Sequence, residues 1–308
     1  MSMGTEGAVL IDRRDGARLA VSVVIMTRDE ERNVGPCIDS ARCCDEIVVL
    51  DSMSGDATAV IARDRGARVV QRPFDDFATH KNWAIDNVDL RNEWVLLLDA
   101  DERVTPELAS EIATAIAAPG IVVGFYVPRR NMFGGRWIRH AGMYPDWNLR
   151  LFRRGHARYE ARAVHEHMVL DGPHGFLRSP LLHLNDNKGI AQYIARHNRY
   201  SSMEAQELVR YFEGRSTAEL KPNLFTAGPE RRRALKHFAY RHLPALPLLV
   251  FLWMYVVKLG FLDGRAGLRY CALRAFYELS VCLKIDELRA SRVAQDVDGA
   301  TRENRKSA

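Results

Sequence analysis

The sequence has no uninterrupted apolar run of about 20 residues, the length a membrane-crossing helix needs. It also has no Gly-x-Gly-x-x-Gly after its first strand-like segment and no CxxC pair. The first absence argues against an ordinary transmembrane helix, the second against a dinucleotide-binding dehydrogenase, and the third against a thiol-ligated zinc ribbon or redox motif. Cysteine is scarce, at positions 37, 43, 44, 271 and 282, without His-linked metal spacing, and the adjacent Cys43 and Cys44 cannot form an ordinary bridge. A reducing cytoplasm is the expected compartment. Residues 1–18 form an N-terminal extension without the apolar core of an export signal, and Asp12, Arg13, Arg14 and Asp15 interrupt what apolar text there is. Internal repeats are absent.

What remains is ordinary globular material, with 47% hydrophobic and 27% charged residues in 308. The net charge of +5 is local: Arg210 to His242 holds eight Lys/Arg against three Glu, which equals the whole-chain excess. That stretch, with Pro222, Gly228 and Pro229, reads as a linker or mobile basic surface. It lacks the interleaved aromatics of a nucleic-acid module, so nucleic acid is not an expected partner and membrane phosphate is the simpler target.

Strand and helix signals alternate through the first half. LAVSVVIM runs into TRDEERN, EIVVL closes on Asp51 before SMSGDAT and the helical TAVIARDRG, ARVVQR follows, a helix is expected around Lys81 to Asn87, and EWVLLL breaks at Asp99-Ala100-Asp101. This alternation predicts an α/β fold with a parallel sheet covered on both faces. Ligands of such sheets sit beyond the strands' carboxyl ends, and here three successive ends carry Asp29/Glu30, Asp51 and Asp99/Asp101. Residues 125–187 read as short strands dense in Arg, His, Trp and Tyr, the expected acceptor half of one domain spanning 19–187, with the nucleotide half at 19–124. A helical region is expected over 188–290 and a disordered tail over 291–308.

Two carboxylates straddling one residue at a strand end suit a hard divalent cation whose shell is completed by phosphate oxygens. Metal plus diphosphate is the chemistry of this spacing.

TRDEERN, EIVVLDSMSGDAT, THKNWAI and LLLDADERVTPEL, in this order, resemble the family 2 glycosyltransferases of the GT-A fold. NLRLFRRG, VHEH, LLHLN and YVVKLGFLDGRAGL extend the resemblance toward the branch that resembles lipopolysaccharide core glucosyltransferases. The resemblance implies nucleotide-sugar contacts from Thr27, Asp29, Glu30, Asp51, Lys81, Asp99, Ala100 and Arg150, metal ligation of Mg²⁺ or Mn²⁺ by Asp101 with Asp99 and His183, and Glu166 as catalytic base. The family usually has Asn at the position of Asp29 and a small residue at that of Met53, departures that bear on the nucleobase.

Other roles stand beside these. Asp29 and Glu30 suit a helix N-terminus without any ligand. Lys81 also reads as a solvated helix lysine, and His183 as a core residue between Leu182 and Leu184. Asp146 and Asp171 rival Glu166 as base; Arg150 and Arg153 serve equally to clamp an anion or to pair within the fold. Trp137, Tyr144 and Trp147 suit sugar stacking or ordinary packing.

Ala245 to Val257 gives thirteen apolar residues before Lys258, and Leu268, Ala272, Ala275, Phe276, Leu279 and Leu283 share one helical face further on. Monotopic or peripheral attachment to an anionic membrane surface, at the cytoplasmic face of a bacterial inner membrane, is expected, against a buried helix of the core or of a dimer. The expected reaction is inverting transfer of a hexose, glucose first, from a UDP-sugar to lipopolysaccharide core or another cell-envelope or lipid-linked saccharide. The alternatives are a polyprenyl-phosphate acceptor and a non-catalytic nucleotide-binding membrane adaptor. A nucleotidyltransferase is disfavoured by the lack of a Gly-rich, basic loop after the first strand.

Overall fold

A computed structural model describes residues 18–160, 168–215, 229–243 and 245–306, with the side chains of residues 77, 229–233 and 292–306 outside the description. Four parallel strands form the first half: β1 (Leu19–Thr27), β2 (Cys44–Asp51), β3 (Arg68–Gln71) and β4 (Trp94–Asp99), in spatial order β3-β2-β1-β4. Val23, Ile25, Val48, Val49, Leu96 and Leu97 have no or almost no exposure, because helices cover both faces and both side-chain rows must be apolar. Helices α1 (Val34–Ser40), α2 (Thr58–Asp64), α3 (Phe77–Asn87) and α4 (Pro106–Ala117) alternate with these strands. Local chemistry starts the last two. Asp76 accepts from the Thr79 amide at α3, and Thr105 accepts from the Leu108 amide at α4, where Pro106 opens the first turn and Glu107 faces the positive helix end.

The second half turns the sheet from parallel to mixed, a difference from the purely parallel expectation. Strand β5 (Glu102–Arg103) is followed by β6 (Gly124–Phe133), β7 (Arg136–Trp137), β8 (Asp146–Arg153), β9 (Ala157–Tyr159), β10 (Met168–Leu170), β11 (His174–Phe176) and β12 (Leu181–Leu184). The path continues from β4 through β8, β6 and β12 to β5, with β8 antiparallel to both neighbours. Short hairpin-like returns replace helical crossovers here, and antiparallel pairing is what short connections permit.

Beyond it lie α5 (Ile190–Phe212), α6 (Pro229–His242), α7 (Leu246–Leu252) and α8 (Gly264–Lys306), with a π-helical turn at Trp253–Val257 and a 3₁₀ turn at Gly260–Asp263. Residues 229–242, expected as linker, are helical: apart from Pro229, at the opening position, PERRRALKHFAYRH contains no helix breaker. Helix α8 continues past residue 290, where the sequence expectation ends the helical region. Where the first turn of α8 packs against the 3₁₀ turn, a Cβ on Gly267 would strike the carbonyl of Gly260, so only glycine allows this approach.

The helical region is bolted to the mixed half of the sheet. The Ala141 amide donates to Lys258 O at 2.8 Å, Asp263 accepts from the backbone and ring of His140 at 2.8 Å each, and Phe133, Ile138, Tyr193, Met254 and Tyr270 share a core. Tyr277, Val281 and Ile285 of α8 pack against Ala205, Leu208 and Val209 of α5. The apolar face anticipated on α8 lies opposite this contact: Leu268, Phe276, Leu279 and Leu283 face outward.

The Lys284 ammonium joins α8 to α5, reaching Asn198 O, Asn198 Oδ1, Ser201 Oγ and Ser202 Oγ at 2.6–2.8 Å. Because bonds to a charged group contribute about 1.5–3 kcal/mol, Lys284→Met is expected to lower unfolding free energy by that amount in urea titrations.

Candidate active site

Parallel pairing sets the strand ends side by side: Thr27 is opposite Asp51, and Met26 opposite Asp99. Thr27 and Asp51 are buried and bonded to each other at 3.2 Å. Asp51 also accepts from the amide and hydroxyl of Ser54 and from Gln71 at 3.0 Å, so its oxygens shape the loop after β2. Asp29, in the left-handed region at φ 53°, accepts from the Gly55 amide at 2.9 Å and gives its own amide to Ser54. Met53 shares that conformation at φ 57°. The loops after β1 and β2 are thus stitched into one wall, and Asp29 is one of the few residue types that tolerate the strain.

Glu30 lies across that wall. It binds Lys188 at 2.5 Å and Asn33 at 2.8 Å, and burial pushes its carboxyl up despite both partners. Lys188 also donates to Asp29 O at 2.7 Å, fastening the loop before α5 to the end of β1.

Asp99 and Asp101 have different surroundings. Asp99 is held by Arg150 at 2.6 Å, and the same guanidinium nitrogen reaches the fully buried Glu102 at 2.6 Å. Glu102 in turn accepts the Asp99 amide at 3.0 Å and faces Arg129 at 3.7 Å, while Arg129 grips Asp146 at 2.7 Å. Burial alone would raise the Asp99 carboxyl, but the charges of Arg150, Lys81 and Arg129 hold it well below the ordinary carboxylate range. Lys81, on α3, also lies 4.7 Å over the Tyr159 ring. Arg150 therefore acts inside the fold, on the first acid of the pair.

Asp101 is left to a different set. His183 Nε2 is 3.5 Å from its Oδ2, and Arg196 of α5 is 3.8 Å away. Burial pushes this carboxyl up and His183 pulls it further down, so the net position is low. Ala100, between the two acids, is buried and its carbonyl accepts from Arg103. Among the described residues no three His, Cys, Asp or Glu side chains form a ready cage for a metal. Asp101 with His183 supplies an incomplete set, which suits a cation that keeps open positions for phosphate oxygens.

Glu166 lies outside the described residues. Of its rivals, Asp146 is clamped by Arg129 and Asn131; burial opposes ionisation there, but Arg129 wins and keeps the carboxyl low, which makes it a weak proton acceptor. Asp171 lines a separate surface cleft of about 600 Å³ with Asp86, His156 and Arg158. Arg153 pairs with Glu93 at 3.5 Å and lies over Trp94, so it works within the fold. Trp137 is flanked by Arg130 and Arg139, with Tyr144 edge-on at 5.1 Å, whereas Trp147 is partly exposed against Phe176.

Sequence reasoning missed Glu102, Arg129, Asn131, Lys188 and Arg196. Glu102 had a signal, as the acid directly after the Asp-x-Asp, and Lys188 closes the loop after LLHLN. The others become visible only when β6 and α5 are folded against β12.

A parallel half-sheet ending in an Asp-x-Asp, joined to a mixed half that brings a histidine to the second acid, is the architecture of a glycosyltransferase of the GT-A type. The model of the family described as Glycosyl transferase family 2 matches residues 22–183, more than half of the chain, and the chain belongs to that family. The lipopolysaccharide core biosynthesis glycosyltransferase LpsC of Rhizobium meliloti is 33% identical over 62% of this chain and 73% of its own. An uncharacterized glycosyltransferase of Rickettsia conorii is 28% identical over 62% and 71%. A solved mannosyltransferase of Pyrobaculum calidifontis, in complex with GDP-Man and Mn²⁺, is 18% identical with a TM-score of 0.48, each chain covered to 87%.

Proposed function

We propose that the enzyme transfers a hexose, glucose first, from a UDP-sugar to a lipopolysaccharide core or related cell-envelope saccharide, with inversion, at the cytoplasmic face of the inner membrane. The observation that carries the reading is the division of labour in the acid pair: Arg150 occupies Asp99, while Asp101 stays beside His183 Nε2. The likeness to LpsC, named for lipopolysaccharide core biosynthesis, supports the acceptor class.

Asp101 and His183 would hold Mg²⁺ or Mn²⁺. Such a cation supplies charge to the departing diphosphate, which otherwise leaves as a poorly stabilised anion. Lys81, beside Asp99, and Arg196, beside Asp101, add fixed positive charge on the same side. The wall built from Thr27, Asp29, Glu30 and Asp51 bounds the nucleotide. Glu166 is the proposed base for the acceptor hydroxyl; a single displacement needs no protein nucleophile.

The C-terminal region is the proposed membrane contact. Leu248, Leu249, Leu252, Trp253, Val256 and Val257 are exposed at helical spacing, and exposed Lys258 follows them with its ammonium 5.3 Å from the Trp253 ring; Arg265 and Arg269, further along the chain, are exposed too. No single described helix is long and apolar enough to cross a membrane; Leu246–Val257 with Gly260–Ser291, bent by 73°, passes that test only as a pair. A face this apolar with a basic rim suits the headgroup zone of an anionic leaflet. Since each buried apolar side chain contributes about 1.5–3 kcal/mol, Trp253→Glu with Val256→Glu is expected to weaken binding to phosphatidylglycerol vesicles at least tenfold in cosedimentation. Release of the wild type by high salt alone would count against insertion.

The reaction itself is tested by donor turnover across UDP-, GDP- and other nucleotide sugars, with and without Mg²⁺ or Mn²⁺. Metal-dependent use of one donor supports the reading. Binding of a nucleotide sugar that stays intact after prolonged incubation with metal and every plausible acceptor would favour the non-catalytic nucleotide-binding adaptor.

A further inference from the structure

Asn131, on β6, is buried and lies directly opposite His183 of the neighbouring strand. Its amide nitrogen points at two groups that can only accept, Asp146 Oδ2 at 3.2 Å and Met143 O at 3.4 Å. The amide oxygen must then be the atom turned to His183, and it lies 2.7 Å from Nδ1. Asn185 Nδ2, a donor, approaches the same oxygen at 3.3 Å. An oxygen receives a hydrogen bond, so the proton of the His183 ring sits on Nδ1. Nε2 is then the ring nitrogen turned to Asp101, 3.5 Å away; it bears the second proton while the ring is charged and a lone pair once that proton is given up.

We propose that Asn131 is a positioning residue: it fixes the Nδ1–H tautomer of His183 and thereby keeps Nε2 available as a ligand beside Asp101. The inference rests on the metal reading given above. An amide serves here better than a carboxylate. The pocket already holds Asp99, Asp101, Glu102 and Asp146, and a neutral acceptor orients the imidazole without adding a fifth negative charge. Asn131 itself is oriented from outside the site, since Met143, whose carbonyl it meets, also contacts Tyr270 of α8 through its sulfur at 3.1 Å. Partners of this kind behind a ligating histidine typically change metal affinity 10- to 100-fold when removed.

The test needs no turnover. Long-range ¹H–¹⁵N spectra of histidine-labelled full-length protein, with the His183 signal assigned by its loss in His183→Gln, are expected to show Nδ1–H in the wild type without metal. An Nε2–H tautomer there would overturn the proposal before any variant is made. Asn131→Leu is expected to move His183 to the Nε2–H form and to weaken Mn²⁺ binding, read by electron paramagnetic resonance in the presence of UDP, by about 10- to 100-fold. Asn131→Asp keeps an acceptor toward Nδ1 but turns a second carboxylate oxygen toward Asp146 Oδ2, so it is expected to retain the tautomer while lowering the unfolding temperature. If Asp101→Ala and His183→Gln lose Mn²⁺ while a folded Asn131→Leu keeps both tautomer and affinity, the role of Asn131 is wrong and the metal site stands. If Asp101→Ala and His183→Gln leave Mn²⁺ binding unchanged, the metal site is wrong, and a ligand-preparing role for Asn131 fails with it.

Discussion

Asp101→Ala is expected to lower kcat/KM for sugar transfer by about 10³-fold, roughly 4 kcal/mol of transition-state stabilisation, while the protein stays folded. Asp101 is the acid of the pair that the fold does not use for its own support. Its neighbours are His183 at 3.5 Å and Arg196 at 3.8 Å, both longer than a strong ion pair. Asp99 cannot take over, because Arg150 is bonded to it at 2.6 Å. The loss should therefore appear in donor turnover and in Mn²⁺ affinity together, with the unfolding temperature nearly unchanged. Removing the carboxylate also removes repulsion toward Asp99, which limits any cost to stability. A folded Asp101→Ala that keeps metal-dependent turnover within tenfold of wild type would sink the assignment.

The acid pair was legible in the sequence for a simple physical reason. A strand covered on both faces must be an unbroken apolar run, so WVLLL announces itself, and the first acids after it mark the carboxyl end. The same logic located Asp29, Asp51 and the helix of Lys81. What sequence could not reveal is which acid has a partner. Arg150 is 48 residues from Glu102 and 51 from Asp99, and only the antiparallel pairing of β8 with β4 brings it beneath the site. Arg150 therefore reads from sequence as a donor contact but lies among carboxylates in the fold.

Amphipathic pattern shows only one side of the tail. The face of α8 carrying Leu268, Phe276, Leu279 and Leu283 is legible in the sequence, and it is exposed. The face that does pack uses Tyr277, Val281 and Ile285, with Tyr277 donating to Glu204 of α5. Aromatic hydroxyls and charged pairs between α5, α6 and α8 make that interface polar enough to be missed by an apolar count. Glu278, for instance, accepts from Tyr240 and pairs with Arg274 at 2.9 Å.

Arg150→Met is expected to be the most damaging single change to stability, costing about 3–5 kcal/mol, because removing one partner strands buried charge. Glu102 has no exposure, and Arg129 at 3.7 Å is already committed to Asp146 at 2.7 Å, so Glu102 loses its close partner. The pH dependence separates this cause from simple loss of packing. In the wild type the Asp99 carboxyl is held below its ordinary value of about 3.9, so its contribution is fully present above that pH and is lost as pH falls further. Without Arg150, only Lys81 and Arg129 oppose the burial that pushes the Asp99 carboxyl up, and the variant is then helped by protonation. The stability gap between wild type and variant should accordingly be largest near pH 7 and shrink toward pH 4 in urea unfolding. Arg150→Lys should lie between them, since a lysine keeps the charge but not the planar guanidinium that sits between Asp99 and Glu102. A gap below about 1 kcal/mol at pH 7, far under the cost of an uncompensated buried charge, would mean that the cluster relaxes or takes in water, and that Arg150 is free to serve the donor after all.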